Sequence, residues 1–218
     1  MSSALKLIQP ISKRDQVVAS IKEAILAGTL QPGDTIVESR MAQQLGAGTP
    51  LVREALIELE HQGYVQKVPY KGTTVMKLER REVENIFRLR IELEALALEW
   101  AKPNITESAL AELRRLTAKM KQAAQQLDLP QFYEADLAFH RRLWDLSGNP
   151  YLAETLERLV VPLFAFFVMK VTQQRKNYLD SAASHEKLVE AMPKLSATAL
   201  RKLMKDSLAG WEDEMLNH

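Results

Sequence analysis

Apolar residues recur at helical spacing over most of this chain. Val17, Val18, Ile21, Ile25 and Leu26 form one stripe within residues 15–27, and Gly28 follows as a stop. A Pro-Gly turn comes next, in Leu30-Gln31-Pro32-Gly33-Asp34. A short second helix opens at Glu38 or Ser39 and runs through Leu45, ended by Gly46. A third runs from about Pro50 to Gln62, with Gly63 as its stop; proline in the first turn suits a helix start. After Gly63 the period switches. Tyr64–Val68 and Thr73–Met76 are β-prone segments around Pro69-Tyr70-Lys71-Gly72, which predicts a small hairpin. Three helices followed by a hairpin is the layout of a winged helix-turn-helix.

From Arg81 onward the pattern is almost wholly helical. It predicts helices over 81–102, 106–127, 130–147, 150–176, 181–194 and 197–216. Breaks fall at Pro103, Pro130, Gly148-Asn149-Pro150, the polar stretch after Lys170, and Pro193. Asn104 or Thr106, Ser147 or Asn149, and Ser196 are the candidate caps. Glu79–Glu82 reads as the domain junction. The expected fold is therefore mainly α. A winged helix-turn-helix DNA-binding domain with a small β-hairpin occupies residues 1–78. An all-α helical bundle occupies residues 79–218. Residues 1–10 read as a loose tail.

Composition changes this picture little. The 218 residues carry a net charge of +1, with no gross basic signature. Residues 1–78 hold 9 Lys+Arg against 7 Asp+Glu, and the remainder holds 20 against 21. DNA binding needs only a local basic face, so this balance does not oppose it. The chain has no cysteine, which removes disulfides and thiolate metal sites. No signal-peptide pattern is present, and the apolar run Leu159–Val171 is far too short to span a bilayer. A soluble cytoplasmic protein is expected.

In a helix-turn-helix the second helix enters the major groove. Here that helix starts near Pro50, which exposes Thr49 and the face around Arg53. Arg53 can hold a phosphate or fork to a guanine edge, and Glu54 beside it can orient the guanidinium. Arg40 and Lys71 are phosphate candidates, and Gly72 lets the wing backbone pass close to the duplex. The bland alternative is that these cations are simply solvated.

The run Leu30-Gln31-Pro32-Gly33-Asp34, then Glu38, Met41-Ala42-Gln43-Gln44-Leu45-Gly46, Val52-Arg53-Glu54-Ala55-Leu56 through Gly63-Tyr64-Val65, and Pro69-Tyr70-Lys71-Gly72-Thr73-Thr74-Val75 resembles the GntR family of bacterial regulators. The resemblance spans residues 13–78 in one register. It departs at Gly48-Thr49-Pro50-Leu51, where the family carries Ser-Arg-Thr-Pro. The family's first recognition-helix arginine is absent and Thr49 takes its place. The resemblance therefore implies that Arg53 inherits more of the base reading.

In the helical part, Asp136 and His140 lie i, i+4 on one helix face, and His185 on a later helix can add a third group. Carboxylate and imidazole together suit Zn²⁺, Ni²⁺ or Mn²⁺. The alternative is a helix-surface pair or a satisfied core contact. Arg90-Ile91-Glu92-Leu93-Glu94, Asp136 with His140, Asn149-Pro150-Tyr151-Leu152, and His185 through Ala191 resemble the all-helical effector domain of the FadR subfamily. That domain often binds a divalent metal through one Asp and three His. By resemblance Asp136, His140 and His185 take the first three positions. The fourth falls on Ser207, with Asp206 adjacent, so metal occupancy is an open expectation. Arg90 is then a carboxylate-effector partner, its alternative being a salt bridge to Glu94. Tyr133, Phe139, Trp144, Phe164 and Phe167 read as core or dimer packing.

The expectation is a homodimeric, metabolite-responsive transcription regulator that binds double-stranded operator DNA. The family prior is a repressor released by a small carboxylate. A small metal-dependent hydrolase using Asp136, His140 and His185 is the first competing reading, and a non-sensing architectural DNA-binding protein is the second.

Overall fold

The computed structural model describes residues 12–171 and 178–216. The tail at residues 1–10, the last stretch of the helix expected over 150–176, and His218 lie outside the described residues. The chain divides into two compact units, Met1–Met76 and Lys77–His218.

The first unit holds α1 (Lys13–Leu26), β1 (Thr35–Ile36), α2 (Glu38–Leu45), α3 (Thr49–His61), β2 (Val65–Val68) and β3 (Gly72–Val75). Ser12 caps α1, its hydroxyl accepting from the Asp15 amide at 3.0 Å. Helix α2 ends on Gly46 at φ 60°, a left-handed cap that glycine adopts without a Cβ penalty and that turns the chain into α3. Val17, Val18, Ile21 and Ile25 of α1 are buried, as are Val52, Ala55, Leu56 and Leu59 of α3. Those stripes make the core between α1 and α3. Arg14 of α1 ties down Glu58 of α3 at 2.6 Å.

The three strands form one antiparallel sheet in the order β1-β3-β2. Val65 pairs with Val75 and Val68 with Gly72, which defines the wing. Strand β1 is absent from the sequence expectation. Two residues cannot display an alternation; only Thr35 pairing with Thr74, and Ile36 burying itself, mark the segment as a strand. The wing tip carries Tyr70 at φ 64°, followed by exposed Lys71 and Gly72 at φ 80°.

The second unit is helical: α4 (Arg80–Ala101), a 3₁₀ turn (Lys102–Asn104), α5 (Glu107–Gln126), α6 (Leu129–Leu146), α7 (Pro150–Val171), α8 (Tyr178–Ala191) and α9 (Ala197–Leu216). Glu79 and Glu82 form a reciprocal capping box at the start of α4. Thr106 caps α5, and Asn149 accepts from the Tyr151 and Leu152 amides at the start of α7. Helix α7 is apolar nearly all round from Val160 to Val168 and runs through Pro162, as a central helix does. Helix α4 packs on α6, α7 and α9, and α5 packs on α6 and α8. Among the described residues, no helix is long and apolar enough to cross a membrane.

Leu59 is fully buried where α3 meets its neighbours. Truncation to Leu59→Ala is expected to destabilise the first unit by about 2–5 kcal/mol. Hydrogen exchange of the α1 and α3 amides is the measurement; unchanged protection there would contradict this packing.

Candidate functional site

Burial on one side of α3 leaves Arg53, Glu54 and Ile57 on the other, exposed. Thr49 opens the helix four residues before Arg53, so both project from the same side. Arg40 is exposed on α2, and Lys71 and Gly72 are exposed on the wing. The partner that orients Arg53 is not Glu54. Successive helix residues diverge by about 100°, which turns the neighbouring carboxylate away. Glu38, the first residue of α2, takes that role: its Oε2 accepts from Arg53 Nε at 3.0 Å and from Nη2 at 2.8 Å. Ile57 was not singled out from the sequence. Its signal was an apolar side chain lying off the buried stripe, and it is 40% exposed.

The second unit encloses a cavity lined in part by Arg90, Asp136, His140, His185 and Ser207. Helix α6 supplies Asp136 and His140, α8 supplies His185, and α4 supplies Arg90 and Glu94. The expected alternative for Arg90 is realised: its Nε donates to Glu94 Oε1 at 2.7 Å, deep in the interior. Its Nη2 lies 3.2 Å from His140 Nε2. A guanidinium has no acceptor, so Nε2 must accept. The ring proton therefore sits on Nδ1, 2.5 Å from Glu94 Oε2. His185 Nδ1 likewise donates to the Ser181 carbonyl at 2.8 Å. Both imidazoles thus turn Nε2 inward.

Those two nitrogens converge on Asp136. Oδ1 lies 3.5 Å from His140 Nε2 and 3.1 Å from His185 Nε2, and the two Nε2 atoms are 3.4 Å apart. Ligands held about 2.1 Å from one ion would stand roughly 3.0 Å apart in octahedral and about 3.4 Å apart in tetrahedral geometry. The three edges match those values. Asp136 Oδ1 is also buried without a well-formed hydrogen bond, which is the observation a cation would account for. The donor set therefore fits a divalent metal provided that Arg90 Nη2 gives up the His140 Nε2 lone pair it engages, with Glu94 and the Ser181 carbonyl as the outer partners that fix each ring. Ser207, not Asp206, faces the cavity; Asp206 points outward and is exposed.

The five aromatic side chains expected as packing are all buried in the core, and Tyr133, Phe164 and Phe167 also line the cavity together with Phe87, Phe132 and Tyr178. The Arg90 guanidinium stacks 5.0 Å above the Phe164 ring. Burial, and then Tyr178, push the Tyr133 hydroxyl well up, so it stays a neutral donor. Burial pushes Asp136 up as well, but the charge of His185 close beside it outweighs that and holds the carboxyl low. His185 is correspondingly raised, against its burial, by Asp136.

A winged helix-turn-helix followed by a helical unit with a largely apolar cavity that carries two histidines and an aspartate defines a class: DNA-binding regulators with a sensor domain. Comparison with known proteins agrees. Residues 13–75 match the bacterial regulatory proteins of the gntR family, and residues 85–210 match the FCD domain. The HTH-type transcriptional regulator McbR of Escherichia coli (strain K12) is 34% identical over 146 residues, 67% of this chain and 66% of McbR, so the sequence alignment spans just under two thirds of that protein. The HTH-type transcriptional repressor RspR of the same strain is 26% identical over 159 residues, 73% of this chain and 69% of RspR. The solved E. coli McbR/YncC structure has a TM-score of 0.71 at 26% identity, covering 95% of this chain and 98% of that one. A GntR regulator from Rhodococcus sp. RHA1 shares the fold, with a TM-score of 0.73 at 18% identity over 95% and 99% of the two chains. This chain belongs to the GntR family and carries its FCD domain. It is a transcriptional regulator.

In acid, charge on His140 and Arg90, with their hydrogen bonds, outweighs the burial that pushes Glu94 up and holds its carboxyl at about 2 against the ordinary 4.5. A depressed folded value means the stabilisation is full above 4.5 and is lost as pH falls towards 2. For chelator-treated protein, the stability of the second unit is expected to fall across that window. Glu94→Gln, which leaves Arg90 without its counter-charge, costs about 3–5 kcal/mol at neutral pH and flattens the slope. Urea titrations at stepped pH measure both; equal slopes would remove Glu94 from this role.

Proposed function

We propose that this protein is a homodimeric, cytoplasmic, metabolite-responsive repressor. Its winged helix reads operator DNA with Arg53 and Thr49, while Arg40, Lys71 and the backbone at Gly72 hold phosphates. Its helical domain holds a divalent metal (Zn²⁺, Ni²⁺ or Mn²⁺) on Asp136, His140 and His185, and takes a small carboxylate beside Arg90. The observation that carries the sensing half is the trio of inward-facing ligand atoms inside a cavity that also holds a guanidinium. RspR, described as a repressor, supports the direction of regulation.

Charge explains why sensing an anion needs the metal. Without it, Glu94 neutralises Arg90 and Asp136 shares a proton with His185, so no positive charge is left over. A carboxylate entering a buried, neutral site next to Asp136 meets only a desolvation cost. Asp136, His140 and His185 would hold a divalent ion in place of that proton, which would leave one excess positive charge in the cavity that Ser207 also lines. Space open to water-sized occupants is about 50 Å³. That fits a few waters at most, so an effector must displace them or widen the aromatic wall.

The ligand regulates DNA binding only if it prefers one arrangement of the protein over another. Symmetric half-sites and linked binding favour two copies of the chain. The hydrolase reading has less support, because the relatives matched are transcriptional regulators and Glu94, the carboxylate nearest the trio, is committed to Arg90 and His140.

Selection of bound fragments from the host genome tests the DNA half, and Arg53→Ala is expected to lose roughly 1–3 kcal/mol on the selected site. Unchanged affinity in a gel-shift titration would remove Arg53 from the reading face. Elemental analysis of protein purified without a metal-affinity tag tests the other half. Near-stoichiometric metal is expected, abolished in Asp136→Ala; a metal-free wild type that still binds carboxylates would overturn the metal assignment.

A further inference from the structure

The contact between Glu38 and Arg53 has a direction. Glu38 engages Nε and one hydrogen of Nη2, the side edge of the guanidinium, at 2.8–3.3 Å. Among the described residues nothing holds the other edge, formed by Nη1 and the second Nη2 hydrogen. That edge presents two parallel donors, and guanine presents two acceptors, N7 and O6, in the major groove. The arginine side chain is 63% exposed, so without a tether it would sample many rotamers and fall onto the nearest phosphate.

We propose that Glu38 is a specificity-determining positioning residue. It occupies the side edge of Arg53 so that the end fork is presented to a guanine rather than spent on a phosphate. This rests on the reading that the exposed face of α3 contacts DNA. The site of the carboxylate makes the idea decidable, because two effects oppose each other there. A negative charge on a DNA-facing surface weakens binding to every duplex, through repulsion of the phosphates. Positioning strengthens binding to the right duplex only. If repulsion dominates, removing Glu38 tightens all binding alike. If positioning dominates, removing it loosens the preferred site while tightening the rest.

The experiment uses full-length protein and a pool of random-sequence duplexes. Wild type selects its preferred duplex. Affinities of wild type, Glu38→Ala, Glu38→Gln and Arg53→Ala are then measured on that duplex and on a scrambled one, over a range of salt. Glu38→Ala is expected to bind the preferred duplex about tenfold more weakly and the scrambled one more tightly. Glu38→Gln, which keeps an acceptor without the charge, falls between. Replacing the contacted guanine by 7-deazaguanine should weaken wild type and leave Glu38→Ala nearly unaffected. The double variant Glu38→Ala/Arg53→Ala should lose no more specificity than Arg53→Ala alone. An exposed pair adds little to folding, and unchanged circular dichroism verifies this for each variant. A specificity ratio unaltered in Glu38→Ala, or equal tightening on both duplexes, overturns the proposal while leaving α3 as the reading helix. Failure of wild type to enrich any duplex overturns both.

Discussion

Glu94 is buried completely inside a helical bundle, where an unpaired carboxylate would cost several kcal/mol. It survives as an anion because two donors meet it, Arg90 one turn earlier on α4 and His140 across the interface on α6. The consequence passes outward from there. Arg90 also donates to His140 Nε2, so the ring has one allowed tautomer and one allowed orientation. That orientation aims a lone pair at Asp136 and, through it, at His185.

The two units use the same pair of residue types in opposite ways. Arg90 and Glu94 are sealed from water, so their attraction is strong and their geometry rigid. Arg53 and Glu38 lie at the surface, where water screens the attraction and the pair contributes little to folding. A buried pair is suited to holding a site ready. An exposed one is suited to being exchanged for another acceptor, which is what binding a nucleic acid demands.

The cavity wall carries the Asp136 carboxylate beside the Arg90 guanidinium and the His140 and His185 imidazoles. The aromatic wall formed by Tyr133, Phe164 and Phe167 limits what enters by shape.

Much of the fold was legible in the chain because helix formation is local. The 3.6-residue stripes, the prolines, and the caps at Thr106 and Asn149 declare themselves within a few residues, and the period switch after Gly63 announces the wing. The i, i+4 pair of Asp136 and His140 is legible for the same reason. Contacts between distant segments are not local, and only packing decided them. Nothing near Glu38 in the chain says that it meets Arg53 rather than leaving that guanidinium to Glu54. Nothing near His185 says that its Nε2 stops 3.4 Å from that of His140. The resemblance already puts Ser207 rather than Asp206 at the fourth position, and the packing of α9 on α4 turns that residue to the cavity wall.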